Sequence, residues 1–284
     1  MLQRILSTVV LWVVILGSLW LFGAHAAVAL LTLLTALTLW EFYGLTTLMG
    51  AKPFRWMGVG FGVAMTAGPY YLLYFKDQLA ELAGLTVVIM PAFLVLALLI
   101  SCIRVLGERD HTNRVETIAA TVGGLVYIPF MLQFLVGILT FDGNSNDNLV
   151  LCLWVIAVSK FCDVGALLTG LAIGKHKMAP EISPKKTWEG AVGGVFTSAG
   201  VGAAIAFFAS AYLPEDLTPP IAAGIGAILG VVTIISDLIE SVIKRRAGAK
   251  DSGKLIPGIG GALDLSDSLI LTAPVAFFLL MFLG

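Results

Sequence analysis

The sequence has few charged residues and few cysteines for its length. Of its 284 residues only 12% are Asp, Glu, Lys or Arg, whereas 58% are apolar. Soluble domains carry about twice that charged fraction, so this chain has too little polar surface for a soluble globule. The three cysteines lie in apolar stretches without paired or zinc-type spacing, which excludes a disulfide scaffold and a structural zinc site. The net charge of −1 provides no basic field for nucleic acid.

Long apolar runs make up most of the chain, and the mean hydropathy is +0.97. A helix needs about 20 residues to cross the hydrocarbon core, where unpaired backbone groups find no partner. Runs of this size occur at residues 5–22, 26–45, 57–75, 84–106, 117–140, 149–174, 190–213, 220–243 and 263–283. The sequence therefore predicts an all-α, polytopic integral membrane protein with about nine transmembrane helices.

The boundary between the first two runs is short. Only Gly23-Ala24-His25 separates them, so we expect His25 to lie in a turn rather than to bind a ligand. Arg4, the first run and Ala24-His25-Ala26 also resemble a cleavable secretory signal. The run is longer than a typical signal and no polar segment precedes the cleavage position, which favours a retained membrane span.

The basic residues predict the orientation, because Lys and Arg are retained on the cytoplasmic side. With nine spans and a cytoplasmic N-terminus, every one of the 17 basic residues except Lys76 and Lys160 lies in a cytoplasmic segment. The C-terminus then lies outside, and one missed or extra span would reverse every later loop. We predict a multi-pass protein of the cell (inner or plasma) membrane, with basic loops 174–190 and 244–262 at its cytoplasmic face.

Ionisable side chains within the predicted spans occur in groups, apart from the single Glu41. Such a side chain costs at least about 2.5–3.5 kcal/mol in a span, so it requires a partner or water. Residues spaced by three or four share one face of a helix. The groups are Lys160 and Asp163 in the sixth span, Asp237, Glu240, Ser241 and Lys244 in the eighth, and Asp264, Asp267 and Ser268 in the ninth.

The last two groups indicate a metal and phosphate site. Several carboxylates at one depth, without His or Cys, provide the oxygen ligands that Mg²⁺ prefers, and neighbouring cations are donors for a polyphosphate. The carboxylates are Asp237, Glu240, Asp264 and Asp267, and the cations are Lys244, Arg245, Arg246, Lys250 and Lys254. This combination predicts phosphoryl or nucleotidyl transfer on a lipid. For Lys160 and Asp163 a structural ion pair is an equal alternative.

Both basic loops have compositions suited to phosphate binding. In loop 174–190 we expect Ser183-Pro184 to start a turn, followed by Lys185, Lys186 and the Thr187 hydroxyl. Contact with anionic lipid headgroups would explain the lysines but not the residues directly behind them. Loop 244–262 has five glycines around Lys250-Asp251, which allow backbone N–H groups to approach a phosphate. It lacks the P-loop pattern.

Two long motifs can be compared with known families. They consist of Ser241–Arg245, Lys250-Asp251, Pro257, Gly260-Gly261 and Asp264…Asp267, preceded by Lys160…Asp163…Gly170…Gly174-Lys175 and Ser183–Gly190. This arrangement resembles the signature of the phosphatidate cytidylyltransferases, or CDP-diacylglycerol synthases. Trp40–Tyr43 and Gly124–Pro129 are weaker similarities. Two positions depart from the family pattern, because Ile259 stands where a His is usual and Leu265 where an Arg is usual.

The resemblance implies transfer of a cytidylyl group from CTP to phosphatidate, giving CDP-diacylglycerol and pyrophosphate for phospholipid biosynthesis. It implies a scaffold region, 1–148, and a catalytic region, 149–284. It implies Mg²⁺ as cofactor and CTP, phosphatidate and membrane lipid as partners, and it leaves open a second, monovalent cation and a homodimer. The implied metal ligands are Asp237, Glu240, Asp264 and Asp267. The implied catalytic residues are Asp237, Asp264, Asp267, Lys244 and Lys250. The implied substrate-binding residues are Lys160, Asp163, Ser183, Lys185, Lys186, Thr187, Ser241 and Arg245.

Three other functions stay open at this point. An ion-coupled transporter would use Asp163, Asp237 and Asp264 as relay sites, although the sequence shows no repeat. A second alternative is a related CTP-dependent lipid enzyme, such as a polyprenol kinase or a cytidylyltransferase for another lipid phosphate. The departures at Ile259 and Leu265 also allow a non-catalytic paralogue. The catalytic interpretation requires Asp237 and Asp264 to meet at a shared cation.

Overall fold

The computed structural model describes residues 2–74, 86–107, 113–141, 145–253 and 260–283. Within these ranges the α-helices are α1 Leu2–Leu48, α2 Arg55–Tyr74, α3 Thr86–Gly107, α4 Arg114–Tyr127, α5 Pro129–Leu139, α6 Ser145–Ile173, α7 Trp188–Phe208, α8 Pro219–Arg246 and α9 Ala262–Met281. Strands β1 Lys177–Ala179 and β2 Ser183–Thr187 form an antiparallel hairpin between α6 and α7, and a short 3₁₀ helix, Ser210–Tyr212, follows α7.

Seven helical segments in the described ranges are long and apolar enough to cross a membrane. They are Val13–Leu48, Ile89–Gly107, Arg114–Leu139, Asn148–Ile173, Trp188–Phe208, Pro219–Arg246 and Ala262–Met281. The chain is an all-α polytopic membrane protein, which confirms the predicted fold class, and the hairpin is an addition that the sequence did not predict. The third of these segments contains both α4 and α5. The two helices are separate because Pro129 has no N–H group with which to continue the hydrogen-bond ladder of α4.

Helix α1 passes through the predicted turn between the first two apolar runs. Gly23 alone has non-helical backbone angles there, φ 55° and ψ −130°, a left-handed φ that glycine adopts without a steric penalty. The helix resumes at once, and His25 Nδ1 is hydrogen-bonded to the Tyr70 hydroxyl at 2.9 Å. The prediction that His25 lies in a turn is therefore wrong, because one residue is enough to kink the helix.

The chain divides into two compact units, each formed by two segments. The first contains Met1–Val136 and Arg246–Ser266, and therefore helices α1 to α4, the loop after α8 and the first turn of α9. In its core the fully buried Tyr43 donates its hydroxyl to the Thr121 carbonyl at 2.9 Å. Gly124 leaves space for that ring, since a Cβ at this position would lie 2.6 Å from Tyr43.

The second unit contains Gly137–Arg245 and Asp267–Gly284, and therefore α6, the hairpin, α7, nearly all of α8 and the rest of α9. Small residues allow its helices to approach closely. The Ser198 hydroxyl of α7 lies 2.8 Å from the Gly226 carbonyl of α8, and Trp154 Nε1 of α6 donates to the Gly202 carbonyl at 3.0 Å. These contacts fix the relative positions of α6, α7 and α8.

The hairpin replaces the turn that Ser183-Pro184 was expected to start. Ser183 pairs with Ala179 and Thr187 pairs with Lys177, so the reversal lies between them at residues 180–182. A proline is tolerated in a two-stranded ribbon, because an edge position needs no N–H donor. The turn prediction is therefore wrong, and Lys185 and Lys186 lie on a strand.

Candidate active site

Three carboxylates from two helices lie together in the second unit. Asp237 and Glu240 are three residues apart on α8, Asp267 is on α9, and one ligand oxygen from each lies within 4.8 Å of the other two. The α8–α9 contact is formed by Ser236, which is fully buried and donates its hydroxyl to the Asp267 carbonyl oxygen. The Leu271 N–H in turn donates to the Ser236 hydroxyl oxygen at 3.4 Å.

A lysine faces each of the three carboxylates. Lys186 Nζ of β2 lies 2.5 Å from Asp237 Oδ2, and Lys244 Nζ lies 2.6 Å from Glu240 Oε2. Lys160 Nζ of α6 lies 3.8 Å from Asp267 Oδ1 and donates to the Ser268 hydroxyl at 2.7 Å. The Glu240 side chain is fully buried, and a buried carboxylate requires such a partner. We call these six residues the carboxylate–lysine group.

The donor set of this group fits a hard divalent cation. Three carboxylates offer oxygen ligands, and neither His nor Cys is among them, which suits Mg²⁺ better than zinc. Mg²⁺ commonly uses one or two protein carboxylates and completes its shell with water and substrate phosphate. Asp237, Glu240 and Asp267 are therefore the residues that would hold the ion.

A cavity of about 560 Å³ lies beside this group within the second unit. Its lining includes Asp163, Asp237 and three lysines, together with leucine, isoleucine, methionine and alanine side chains. The lysines are Lys177, Lys185 and Lys186. A cavity lined by both cations and aliphatic groups suits an anionic headgroup that carries an apolar part. Lys177 is a lining residue that the sequence analysis did not single out.

The residues behind the two lysines of β2 hold the hairpin in place. Thr187 is the N-cap of α7, and its hydroxyl oxygen accepts from the Gly190 N–H at 3.1 Å. The Glu189 carboxylate accepts from the Lys175 and His176 N–H groups at 3.1 and 3.2 Å and contacts His176 Nδ1 at 2.5 Å. Thr187 also lines the cavity, so capping and substrate contact are both open to its hydroxyl. These hydrogen bonds hold the short polar segment between α6 and α7 in a fixed conformation.

The remaining residues of the second unit have varied positions. Arg245 Nε donates to the Ile182 carbonyl at 3.1 Å, which ties the end of α8 to the hairpin reversal. Ser241 is buried on α8, one turn after Asp237. Ser183 is half-buried at the start of β2. Asp163 lies one turn after Lys160 on α6 and faces the cavity.

Asp264 and Lys250 belong to the first unit. Asp264 Oδ2 accepts from the Gly261 N–H at 2.9 Å and from the Ser252 N–H at 3.2 Å. Lys250 is exposed on the loop after α8. Ile259, one of the two departures, lies outside the described residues, and Leu265 is half-buried in the first turn of α9. The structure thus assigns Asp237 and Asp264 to different units, and their predicted meeting at one cation stays a prediction.

Comparison with known proteins agrees with the motifs. The model of the cytidylyltransferase family matches residues 2–283. The chain belongs to this family. A phosphatidate cytidylyltransferase of Haemophilus influenzae is 30% identical over 290 residues, which cover 97% of this chain and 96% of that protein. A phosphatidate cytidylyltransferase of Rickettsia bellii is 36% identical over 192 residues, 66% of this chain and 80% of that protein. One of Mycobacterium tuberculosis is 34% identical over 177 residues, 62% of this chain and 51% of that protein.

For this member of the cytidylyltransferase family the resemblance seen in the motifs is confirmed. The matched range includes both motifs and the carboxylate–lysine group. Ser236 contacts Asp267, and Lys177 lines the cavity. Neither residue belongs to the groups of ionisable side chains within the predicted spans. The small polar Ser236 directly before Asp237 was a signal for close helix contact that the sequence contained.

Proposed function

We propose that the chain transfers a cytidylyl group from CTP to phosphatidate, forming CDP-diacylglycerol and pyrophosphate. The observation that carries this proposal is the carboxylate–lysine group beside a cavity that is lined by both lysines and aliphatic side chains. Membership of the cytidylyltransferase family and similarity to phosphatidate cytidylyltransferases support the same reaction. The enzyme is therefore a nucleotidyltransferase of phospholipid biosynthesis.

The reaction needs positioning and charge neutralisation more than covalent help from the protein. A phosphate oxygen of phosphatidate attacks the α-phosphorus of CTP, and the bond from that phosphorus to the β-phosphate oxygen breaks. The second pKa of a phosphate monoester is about 6, so the nucleophile is already ionised near neutral pH and needs no general base. This removes one reason to require a His at the position of Ile259.

The lysines of the cavity wall supply the neutralising charge. The half-buried Lys186 and the exposed Lys177 and Lys185, all lining residues of the cavity, hold phosphate oxygens. The aliphatic lining residues, which include Leu167 and Ile234, would exclude water from the reacting groups. When bound by Asp237, Glu240 and Asp267, Mg²⁺ would supply further charge neutralisation on the phosphates.

The other predicted site residues are part of the proposal. Lys244 and Lys160 orient Glu240 and Asp267, since each ammonium group faces the corresponding carboxylate. We extend the proposal to the residues whose roles rest on the family motifs, namely Asp163, Ser183, Thr187, Ser241, Arg245, Lys250 and Asp264. A second, monovalent cation and a homodimer remain expectations from the sequence.

We further propose nine spans with the N-terminus in the cytoplasm and the C-terminus outside, a scaffold region 1–148 and a catalytic region 149–284. The distribution of Lys and Arg supports this orientation and a cytoplasmic active site in the cell membrane. Labelling a cysteine introduced at the exposed Glu181 of the hairpin, from either side of sealed vesicles, tests it. Labelling from the outer side alone would contradict the proposed orientation.

The reaction is tested with purified protein, phosphatidate and CTP labelled at the α-phosphate. We expect a labelled lipid product and equimolar pyrophosphate, and Asp237→Asn should reduce both by at least about 100-fold. Glu215→Gln, which changes an exposed carboxylate outside the site, is the matched control. Lipid labelled only from γ-labelled CTP would indicate a kinase, and substrate flux into sealed vesicles without CTP turnover would indicate a transporter. A wild type that is inactive beside an active H. influenzae relative would contradict the proposal.

A further inference from the structure

Glu41, the single ionisable residue of the second predicted span, has a defined set of partners in the first unit. It is half-buried near the end of α1. Its Oε2 accepts from the Ser252 hydroxyl at 2.8 Å and from the Leu263 N–H at 3.0 Å. Ser252 lies on the loop after α8, and Leu263 lies in the first turn of α9. One carboxylate therefore contacts the chain both before and after residues 254–259.

Asp264 contacts the same two segments. Its Oδ2 accepts from the Ser252 N–H and the Gly261 N–H, and it lies 3.0 Å from the Ser252 hydroxyl. A hydroxyl has one proton, so Ser252 donates to Glu41 or to Asp264 at a given moment. Each carboxylate keeps at least one backbone N–H partner whichever way that proton points.

Together these contacts complete the N-terminus of α9. The first N–H groups of a helix have no partner within the helix, and a side chain at the N-cap normally accepts from one of them. The N-cap here is Gly261, which has no side chain, and Glu41 of α1 accepts from Leu263 instead. Asp264 at the third helical position accepts from the Gly261 N–H, which is half of a capping box.

The glycines of this region leave space for the Glu41 carboxylate. A Cβ at Gly253 would overlap Glu41 Oε1, and a Cβ at Gly261 would overlap Glu41 Oε2 and the Ser252 hydroxyl. Two of the five glycines of the predicted phosphate-binding loop are thus required by contact with Glu41, independently of any ligand. We call Glu41, Ser252, Gly261, Leu263 and Asp264 the loop clamp.

We propose that Glu41 is a positioning residue that, through the loop clamp, sets the position of Lys250 for binding substrate phosphate. Lys250 is two residues before Ser252, so holding Ser252 against α1 and α9 restricts where the Lys250 side chain can reach. The inference rests on the proposed function, because Lys250 is a proposed phosphate ligand. Glu41 itself contacts Ser252 of the loop and Leu263 of α9, and its proposed effect is transmitted through them.

A double-mutant cycle on the full-length enzyme tests the coupling between Glu41 and Lys250. We expect Glu41→Ala to lower kcat/KM for CTP by about tenfold or more, since hydrogen bonds to a charged group are lost. Glu41→Gln, which keeps an acceptor oxygen in place, should stay within about threefold of wild type. In a Lys250→Ala background the further loss on Glu41→Ala should be below about twofold. Glu116→Ala, which removes an exposed carboxylate from the first turn of α4, is the matched control.

Hydrogen exchange measures the loop clamp without any substrate. Glu41→Ala should speed amide exchange by about tenfold in peptides covering residues 247–253 and 260–264 and leave α2 and α4 unchanged. Unchanged exchange would overturn the inference whether or not the enzyme is active. An equal kinetic loss with and without Lys250 would overturn the link to phosphate binding. An inactive wild type with faster exchange in Glu41→Ala would refute the proposed function and, with it, the phosphate-binding role, and would leave the loop clamp as a structural contact.

Discussion

The ammonium group of Lys186 lies 2.5 Å from the carboxylate of Asp237, so strand β2 is joined to helix α8 by one ion pair. Both residues also line the cavity. Lys186 can therefore exchange its carboxylate partner for a phosphate oxygen without leaving the cavity wall. This ion pair connects the hairpin, which the sequence did not predict, to Asp237, which the sequence did predict as a site residue.

Lys186→Gln tests this exchange. The variant loses a cation at the phosphate position and leaves Asp237 without its closest partner, so we expect kcat/KM to fall by about 100-fold. Lys175→Gln on the same loop changes an exposed lysine that is not among the lining residues of the cavity, and it should stay within about twofold. Steady-state kinetics with CTP as the varied substrate measure both. Equal effects of the two substitutions would contradict a specific role for Lys186.

Substitutions at the fully buried Glu240 can separate an effect on stability from an effect on activity. Glu240→Gln leaves the Lys244 ammonium group, whose side chain is 15% exposed, opposite a neutral group, which typically costs up to about 3–5 kcal/mol. Glu240→Gln combined with Lys244→Met removes both charges and should recover most of the thermal stability, while the activity stays low. Thermal unfolding in detergent and CTP turnover are measured on the same samples. A double variant less stable than Glu240→Gln would show that the pair is not the source of the loss.

Metal dependence distinguishes the three carboxylates from structural ion pairs. Asp267→Asn removes one of the three proposed carboxylate ligands, so we expect the Mg²⁺ concentration for half-maximal activity to rise by about tenfold or more. Titration with Mn²⁺, followed by electron paramagnetic resonance, measures the same change without turnover. Asp216→Asn, an exposed residue before α8, serves as the control and should leave both titrations unchanged.

Two glycines of α8 form a matched pair for packing. A Cβ at Gly226 would lie 2.8 Å from the Ser198 carbonyl, whereas a Cβ at Gly224 meets no atom within 4 Å. Gly226→Ala should therefore lower stability by about 1–3 kcal/mol. Gly224→Ala should be neutral or stabilise by up to about 1 kcal/mol through helix propensity. Thermal unfolding of both variants checks this, and a similar shift for both would argue against close packing of α7 on α8.

Much of the helical framework could be predicted from apolar run length. The predicted spans 149–174, 220–243 and 263–283 differ by a few residues from α6, α8 and α9. The hairpin could not be predicted, because its strands are only three and five residues long. Its fixed conformation depends on the hydrogen bonds of Thr187 and Glu189. The kink at Gly23 was mistaken for a turn, because one residue in a left-handed conformation interrupts a helix without ending it.

The site could be predicted in part for a similar reason. Asp237 and Glu240 share a helix face, so their proximity follows from spacing alone. The placement of Asp267 beside them depends on the Ser236 contact between α8 and α9, and two of the three lysine partners come from α6 and β2. Such long-range contacts are set by packing, which a local pattern does not encode. For the same reason Glu41 looked isolated in the sequence although its partners lie at Ser252 and Leu263.

The acceptor that Glu41 provides for Leu263 also bears on how the protein is made. Translation delivers α1 to the membrane long before α9 emerges from the ribosome, so the early helix is already present when the last one arrives. A C-terminal fragment produced without α1 would start its final helix with an unmatched amide group and two glycines facing an empty space. We therefore expect the C-terminal fragment to accumulate only when a fragment that contains α1 is co-expressed. Correct assembly of α9 then depends on the presence of α1.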